Sequence, residues 1–541
     1  MIRSIAVIAA LLLLTAATNP PRLDRNGQST QLIVDGKPFL ILGGELSNSA
    51  ASSASHMAPV WPGLHAMHLN TVLAPISWQL IEPKEGQFDF SSVDALLSGA
   101  RRNQLRLVLL WFGAWKNSMS SYAPSWVRRD QARFPRAQLP NGSGEEILSA
   151  FSTEVLAADR KAFVALLRHL KAVDARMQTV LMVQVENEIG MLPTARDHGP
   201  LADQAYASPL PADLASHLST NRASLVSSLR ERWESKGAPT SGNWEQVFGP
   251  GPATEEIFTA WHYAQYVQAL TEAGKQAYSL PMYANVALNR PGRPPGDYPS
   301  GGPLPHLIDI WKAGAPSLDL LAPDIYFHNF TGIVANYDRP DNALFIPEQG
   351  RASMGELTAN ALFALGEHKA IGYSPFAVDE ASSSEADSLA QAYALLVALS
   401  PEIVKTQAAG RIRGAKPPVA YDGTLDVRPQ KLDLGSYRFN VDFIDPWSPR
   451  EKQRPEQHGV MIIQTGPEDY LVVGKGAVLT FTPLGDGPPT AGIDTAWEQV
   501  LQDDRLVRRR LLNGDETHQG RHIRLPPDGF SVQQVRLYRY R

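Results

Sequence analysis

Two short stretches of this chain deliver carboxylates straight out of apolar runs. Val180-Leu181-Met182-Val183 leads into Gln184-Val185-Glu186-Asn187-Glu188-Ile189-Gly190, and Ala343-Leu344-Phe345-Ile346 leads into Pro347-Glu348-Gln349-Gly350. One acidic residue after a strand is ordinarily an ion-pair or capping group. Two of them, one preceded by Asn, form a pattern with a specific chemical use. Glycosidic bond cleavage needs a carboxyl that protonates the leaving oxygen and a second that attacks the anomeric carbon or activates water. Aromatic residues gather at similar positions, with Trp78, Trp111, Trp115, Tyr326, Phe327 and Phe376 following or ending other apolar runs. Sugar rings stack their C–H faces on aromatic rings, so Trp78, Trp111, Trp115 and Tyr326 are expected to line a carbohydrate cleft.

Carboxylates this far apart in sequence meet only if the fold brings their strand ends together. Eight apolar runs recur along the first part of the chain: 40–45, 71–75, 106–111, 180–185, 282–285, 320–325, 343–346 and 371–376. Continuous apolar runs suit strands covered on both faces, as in parallel sheets. Between them, apolar residues fall at helical spacing in 92–102, 156–173, 214–233, 256–277 and 389–399. The pattern predicts an α/β fold, a (β/α)₈ TIM barrel over residues 30–400. An open doubly wound sheet is the alternative, disfavoured by the lack of a Gly-rich phosphate fingerprint after the first strand. In such a barrel catalytic groups project from the C-terminal strand ends, which puts Glu188 and Glu348 at one mouth. A hairpin turned by Asp35-Gly36 precedes the barrel. After Pro401 helical periodicity stops, Ala415-Lys416-Pro417-Pro418 reads as a linker, and short strands separated by turns predict a sandwich-like all-β domain over 415–541.

Composition narrows the chemistry. The 541 residues contain no cysteine, which excludes disulfides, thiolate metal sites and a thiol nucleophile. Fifty Lys and Arg against 55 Asp and Glu give a net charge of −5, unlike the basic face of a nucleic-acid binder. His56, His65 and His68 lack an accompanying carboxylate, and neither metal nor cofactor is expected. The arginines of 505–510 read as a solvated strand edge. At the start, Met1-Ile2-Arg3, an apolar run from Ile5 to Leu14 and Thr15-Ala16-Ala17 resemble an export signal over 1–18. The expected location is periplasmic or extracellular, with no membrane attachment once the signal is removed.

Several segments together resemble glycoside hydrolase family 35, the β-galactosidases. They are Gln184–Gly190, Trp78 with Glu82–Phe90, Ala123–Val127 and, in the tail, Arg509–Thr517, which is similar to the β-domain of a bacterial subgroup. The resemblance implies a retaining double displacement with Glu188 as acid/base and Glu348 as nucleophile, and Asn187 bound to the sugar 2-hydroxyl. It implies release of terminal non-reducing β-D-galactosyl residues from oligosaccharides or plant-wall glycans. Other barrel glycosidases (β-glucosidase, β-mannosidase, endo-acting) and a non-catalytic carbohydrate-binding barrel are the alternatives. The chain departs from the family after its third strand, where Phe112-Gly113-Ala114-Trp115-Lys116-Asn117 replaces a Cys-Ala-Glu-Trp stretch, leaving Asn117 or Glu45 to take the place of the absent Glu. Its first strand, Gly43–Asn48, also lacks the family's aromatic residue. Tyr326 is expected to hold the pKa of Glu348 down, and the charge of Glu348 to hold that of Glu188 up.

Overall fold

The structure, a computed structural model, describes residues 19–541, and the predicted export signal over 1–18 lies outside the described residues. Eight parallel strands form the sheet: β1 (Ile41–Glu45), β2 (Thr71–Ser77), β3 (Arg106–Lys116), β4 (Val180–Asn187), β5 (Met282–Ala287), β6 (Leu320–Ile325), β7 (Glu348–Gln349) and β8 (Gly372–Tyr373). Their order is β7-β6-β5-β4-β3-β2-β1-β8. The two ends of that order meet. Ile346 bridges Tyr373, the Ile371 N–H donates to the Leu344 carbonyl at 2.9 Å, and the Gln349 N–H to the Ser374 carbonyl at 2.9 Å. The sheet is thus a nearly closed barrel rather than an open doubly wound sheet. The seventh strand lies later than the run 343–346 suggested, because Pro347 has no N–H to donate and the ladder resumes only at Glu348.

Alternation along the strands sorts side chains into two layers. Val108, Leu110 and Phe112 of β3 point inward and pack with Ile41, Leu73, Met182, Tyr283, Leu320, Phe345 and Ile371. Leu107, Leu109 and Trp111 point outward to the helices, among them Phe163 and Leu166 of the helix Thr153–Asp174. The predicted hairpin forms with Val34 opposite Lys37, and its Leu32 and Val34 join the inward cluster. It stops the barrel at the end away from the carboxylates.

The expected helix over 214–233 is two, Ala212–Thr220 and Ser227–Glu234. Asn221 caps the first, and the Val226 N–H turns away to the Asp309 carboxylate at 2.6 Å. The last barrel helix, Ser383–Ala409, runs through Pro401 and ends at Gly410 in the left-handed region. The barrel unit therefore extends past the predicted boundary at 400. Ile412–Ala415, which runs into the expected linker at Ala415, is already a strand of the β-domain, paired with Gly459–Gln464.

That domain consists of a six-stranded and a four-stranded antiparallel sheet facing each other. Phe439, Val441 and Leu479 of the smaller sheet interlock with Val460, Ile462, Val472 and Val535 of the larger. The arginine-rich strand Arg505–Leu511 is the outer edge of the larger sheet, with Arg510 paired to Glu498 at 2.7 Å.

Candidate active site

The C-terminal strand ends bring four carboxyls and one ammonium together: Glu45 on β1, Lys116 on β3, Glu188 just past β4, Asp324 on β6 and Glu348 on β7. All five are buried, with Glu188 and Glu348 each 6% exposed. Asp324 sits in register with Glu348 on the neighbouring strand. Of the candidate residues, Glu188, Glu348, Asn187, Glu45, Asn117 and Tyr326 converge here. The Tyr326 hydroxyl donates to Glu348 Oε1, and the Asn117 amide donates to Glu188 Oε2. Asn187 accepts from Lys116 Nζ through Oδ1 at 2.7 Å, while its Nδ2 has no protein partner.

Asn285 and Asp324 extend this group and were not singled out from sequence. The Asn285 Oδ1 accepts from the Glu188 backbone N–H at 2.9 Å, and its Nδ2 donates to Asp324 Oδ2 at 2.6 Å. One amide thereby fixes both the backbone of Glu188 and the carboxyl beside it. The signal was present: Asn285 and Asp324 are the polar residues ending the fifth and sixth apolar runs, the position that drew attention to Glu188 and Glu348.

The backbone here is bent into unusual conformations. Asn117, Ser118, Glu186 and Glu188 all have positive φ, of 57°, 58°, 62° and 45°. For non-glycine residues each such conformation costs about 1–3 kcal/mol and persists only where the surroundings impose it. The surroundings are cross-links between the ends of β3 and β4. The Asn117 N–H donates to the Asn187 carbonyl at 3.2 Å, the Ser118 hydroxyl to the Glu188 carbonyl at 2.8 Å, and the Trp115 N–H to Glu186 Oε2 at 2.9 Å. Regular alternation would send Glu186 and Glu188 to one face; the left-handed turns separate them. Glu188 enters the mouth. Glu186 enters the outer layer beside Asp159, which accepts from Trp111 Nε1 at 2.9 Å and the Tyr266 hydroxyl at 2.8 Å. Burial holds both of these carboxyls above the ordinary range.

Three aromatic assignments are corrected. Trp78, Trp111 and Trp115 are wholly buried. Trp78 packs edge-on to Trp126 and donates to Glu82, Trp111 faces Phe163, and Trp115 lies against Tyr263 and Tyr266. All three belong to the layer between strands and helices, so no sugar can stack on them. Tyr326, 45% exposed, remains at the mouth, edge-on to Phe376.

Burial pushes the Glu188 carboxyl up, opposed by the charge of Lys116 and a hydrogen bond with Asp324. Glu348 rises to about 7, by burial first and then repulsion from Glu188; the Tyr326 hydroxyl, Lys116 and Glu45 pull the other way without winning. Tyr326 thus acts in the expected direction but does not bring Glu348 to an ordinary carboxylate value. Glu45 and Asp324 lie well above the usual range, from burial and then the charge of Glu348. Lys116 is the cation that all four face. A site of this kind can hold one or two protons on carboxyls at neutral pH while keeping another ionised, which is what general acid and nucleophile require.

Residues 61–329 match a family model described as beta-galactosidase, that of glycoside hydrolase family 42. The match supports a glycoside hydrolase barrel, and it spans β2 to β6 with Asn187, Glu188, Asn285 and Asp324 inside it. It is a different family from family 35, which the motifs resemble. Residues 389–524 match a domain of unknown function, covering the last barrel helix and most of the β-domain. A beta-galactosidase of Xanthomonas manihotis is 31% identical over 200 residues, 36% of this chain and 31% of that protein. The chain is therefore matched to about a third of that relative's length. Among solved structures, the beta-galactosidase of Rahnella sp. R3 is 16% identical with a TM-score of 0.46, over 71% of this chain and 58% of that one. That of Halorubrum lacusprofundi is 14% identical with a TM-score of 0.44, over 68% and 58%.

Proposed function

We propose that this protein is an exported, retaining β-galactosidase that removes terminal non-reducing β-D-galactosyl residues from oligosaccharides or plant-wall glycans. The observation that carries the reading is the convergence of Glu188 and Glu348 at one barrel mouth, each gripped by its own donor, Asn117 and Tyr326. Glu348, ionised and oriented by the Tyr326 hydroxyl, attacks the anomeric carbon. Glu188, kept protonated by its burial, gives its proton to the departing oxygen. Formation of the glycosyl-enzyme ties up Glu348 as an ester, and Glu188, left ionised once its proton has gone to the leaving group, takes a proton from the incoming water as that water attacks the anomeric carbon and releases Glu348. The unpartnered Nδ2 of Asn187 is the donor for the sugar 2-hydroxyl. The motif around Glu188 supports placing the barrel near family 35, and the apolar run at 5–14 supports export.

The test is a panel of nitrophenyl β-glycosides together with a 2-fluoro galactoside. Turnover preferring galactose, product released as the β-anomer and a fluoro-sugar adduct on Glu348 are expected. A preference for glucoside or mannoside would replace the sugar assignment. An adduct elsewhere, or an inverted product, would overturn the mechanism.

A further inference from the structure

Glu188 is carried to the mouth by a residue that never reaches it. Val108 and Leu110 of β3, which point inward, pair with Met182 and Gln184 of β4, so alternation would turn Glu186 inward as well. Glu186 instead stands at φ 62°, and its carboxyl swings out to a hydrogen bond with Asp159 on the helix Thr153–Asp174. The chain bends again at Glu188, φ 45°, and that carboxyl enters the mouth. Conformations of this kind last only where neighbours impose them. Here the neighbours clamp Glu186 from three sides. Its Oε2 accepts from the Trp115 N–H at 2.9 Å, its backbone carbonyl accepts from Gln184 Nε2 at 3.0 Å, and Asp159 holds the rest of the carboxyl. Asp159 is itself fixed, accepting from Trp111 Nε1 at 2.9 Å and from the Tyr266 hydroxyl at 2.8 Å. Gly113 leaves the room: a β-carbon there would lie 2.6 Å from Glu186 Oε1 and 3.0 Å from Asp159 Oδ1.

Both carboxyls are wholly buried. Two carboxyls in hydrogen-bond contact away from water cannot both be ionised, so one proton lies between them. Asp159, held by two side-chain donors, is the better anion, and the proton sits on Glu186. Burial first, then the charge of Asp159, holds it there.

We propose that Glu186 is a positioning residue for the general acid: protonated and donating to Asp159, it holds the end of β4 in the left-handed turns that carry Glu188 into the mouth. The inference rests on the reading of Glu188 as acid/base and adds the pair that aims it.

The test compares kcat/KM on a β-galactosyl disaccharide, whose leaving oxygen needs a proton, with that on dinitrophenyl galactoside, whose phenolate leaves unaided. Glu186→Leu should lose about a hundredfold on the disaccharide and less than about threefold on the dinitrophenyl substrate, as a misplaced acid implies. Glu186→Gln keeps a donor toward Asp159 and an acceptor for Trp115, so it should stay within about threefold of the wild type on both. Asp159→Asn cannot accept from all its donors through an amide nitrogen; it should follow Glu186→Leu, and it stands in for that variant if the leucine does not fold. Equal losses on the two substrates would leave the pair a merely structural role and overturn the proposal, as would undiminished rates in Asp159→Asn. A Glu186→Gln as impaired as Glu186→Leu would show that Glu186 is not the protonated partner. A wild type that cleaves neither substrate would instead overturn the galactosidase reading. Crystal structures of the wild type and Asp159→Asn then decide: a Glu188 carboxyl still seated on Asn117 in the variant counts against the positioning role.

Discussion

Replacing Tyr326 by Phe removes the one hydroxyl that donates to Glu348 and leaves the ring in place. Glu348 already stands at about 7, with burial and Glu188 pushing up against Tyr326, Lys116 and Glu45. A hydrogen bond to a charged group contributes about 1.5–3 kcal/mol, or roughly one to two pK units. Tyr326 is nearly half exposed, so water replaces part of what is lost, and the lower end of that range applies. Glu348 should move to about 8. At pH 6 the ionised fraction then drops from about a tenth to about a hundredth, a roughly tenfold loss in kcat/KM, whereas at pH 9 nearly all of it remains ionised and the loss is small. The assay is kcat/KM on a nitrophenyl galactoside across pH 5–9.5, whose acidic limb reports the coupled carboxyl site as a whole. A uniform loss at every pH with the limb unmoved would show that Tyr326 does not tune the nucleophile, and the electrostatic account of the site would fail.

Glu348→Gly should abolish turnover, and Glu188→Ala should be rescued by azide on activated substrates with formation of the β-galactosyl azide; near-wild-type rates in either would remove the residue from its role. The buried carboxyls also set the pH dependence of folding. Glu348 binds its proton more tightly folded than unfolded, so the stability it contributes is present in full below about pH 4.5 and lost as pH rises to about 7. A rise from 4.5 to about 7 corresponds to about 3 kcal/mol, to which Glu45 and Asp324 add in the same direction. Urea unfolding should therefore give a lower stability at pH 8 than at pH 5.5, and Glu45→Gln should flatten that slope; a stability that rises over this window contradicts the argument. In the β-domain, Asp445, wholly buried and forked by Arg524 at 2.8 Å, would lose its partner in Arg524→Ala. That should lower the unfolding midpoint by an amount equivalent to about 2–3 kcal/mol, discounted because Arg524 is 38% exposed.

The barrel and its two principal carboxylates were legible because strand ends are marked by a change of chemistry, from apolar run to acid. The tryptophans were misplaced for a reason visible in the same strands. Trp111 is one residue from Leu110 and Phe112, both inward, so alternation alone sends it outward to Phe163. Trp115, of the same parity, follows Trp111 outward. Glu186 defeats the rule, since its own left-handed conformation interrupts the alternation, and no pattern in the letters announces a Glu at positive φ. Pro401 hid the true end of the barrel helix because proline normally stops a helix, and here the chain carries on to Gly410.

The hairpin that carries Leu32 and Val34 into the barrel interior makes the catalytic vessel single-ended. On the proposed reading, substrate enters and both products leave by the same rim. A retaining double displacement in such a vessel would release the reducing-side product first and the sugar held by Glu348 second.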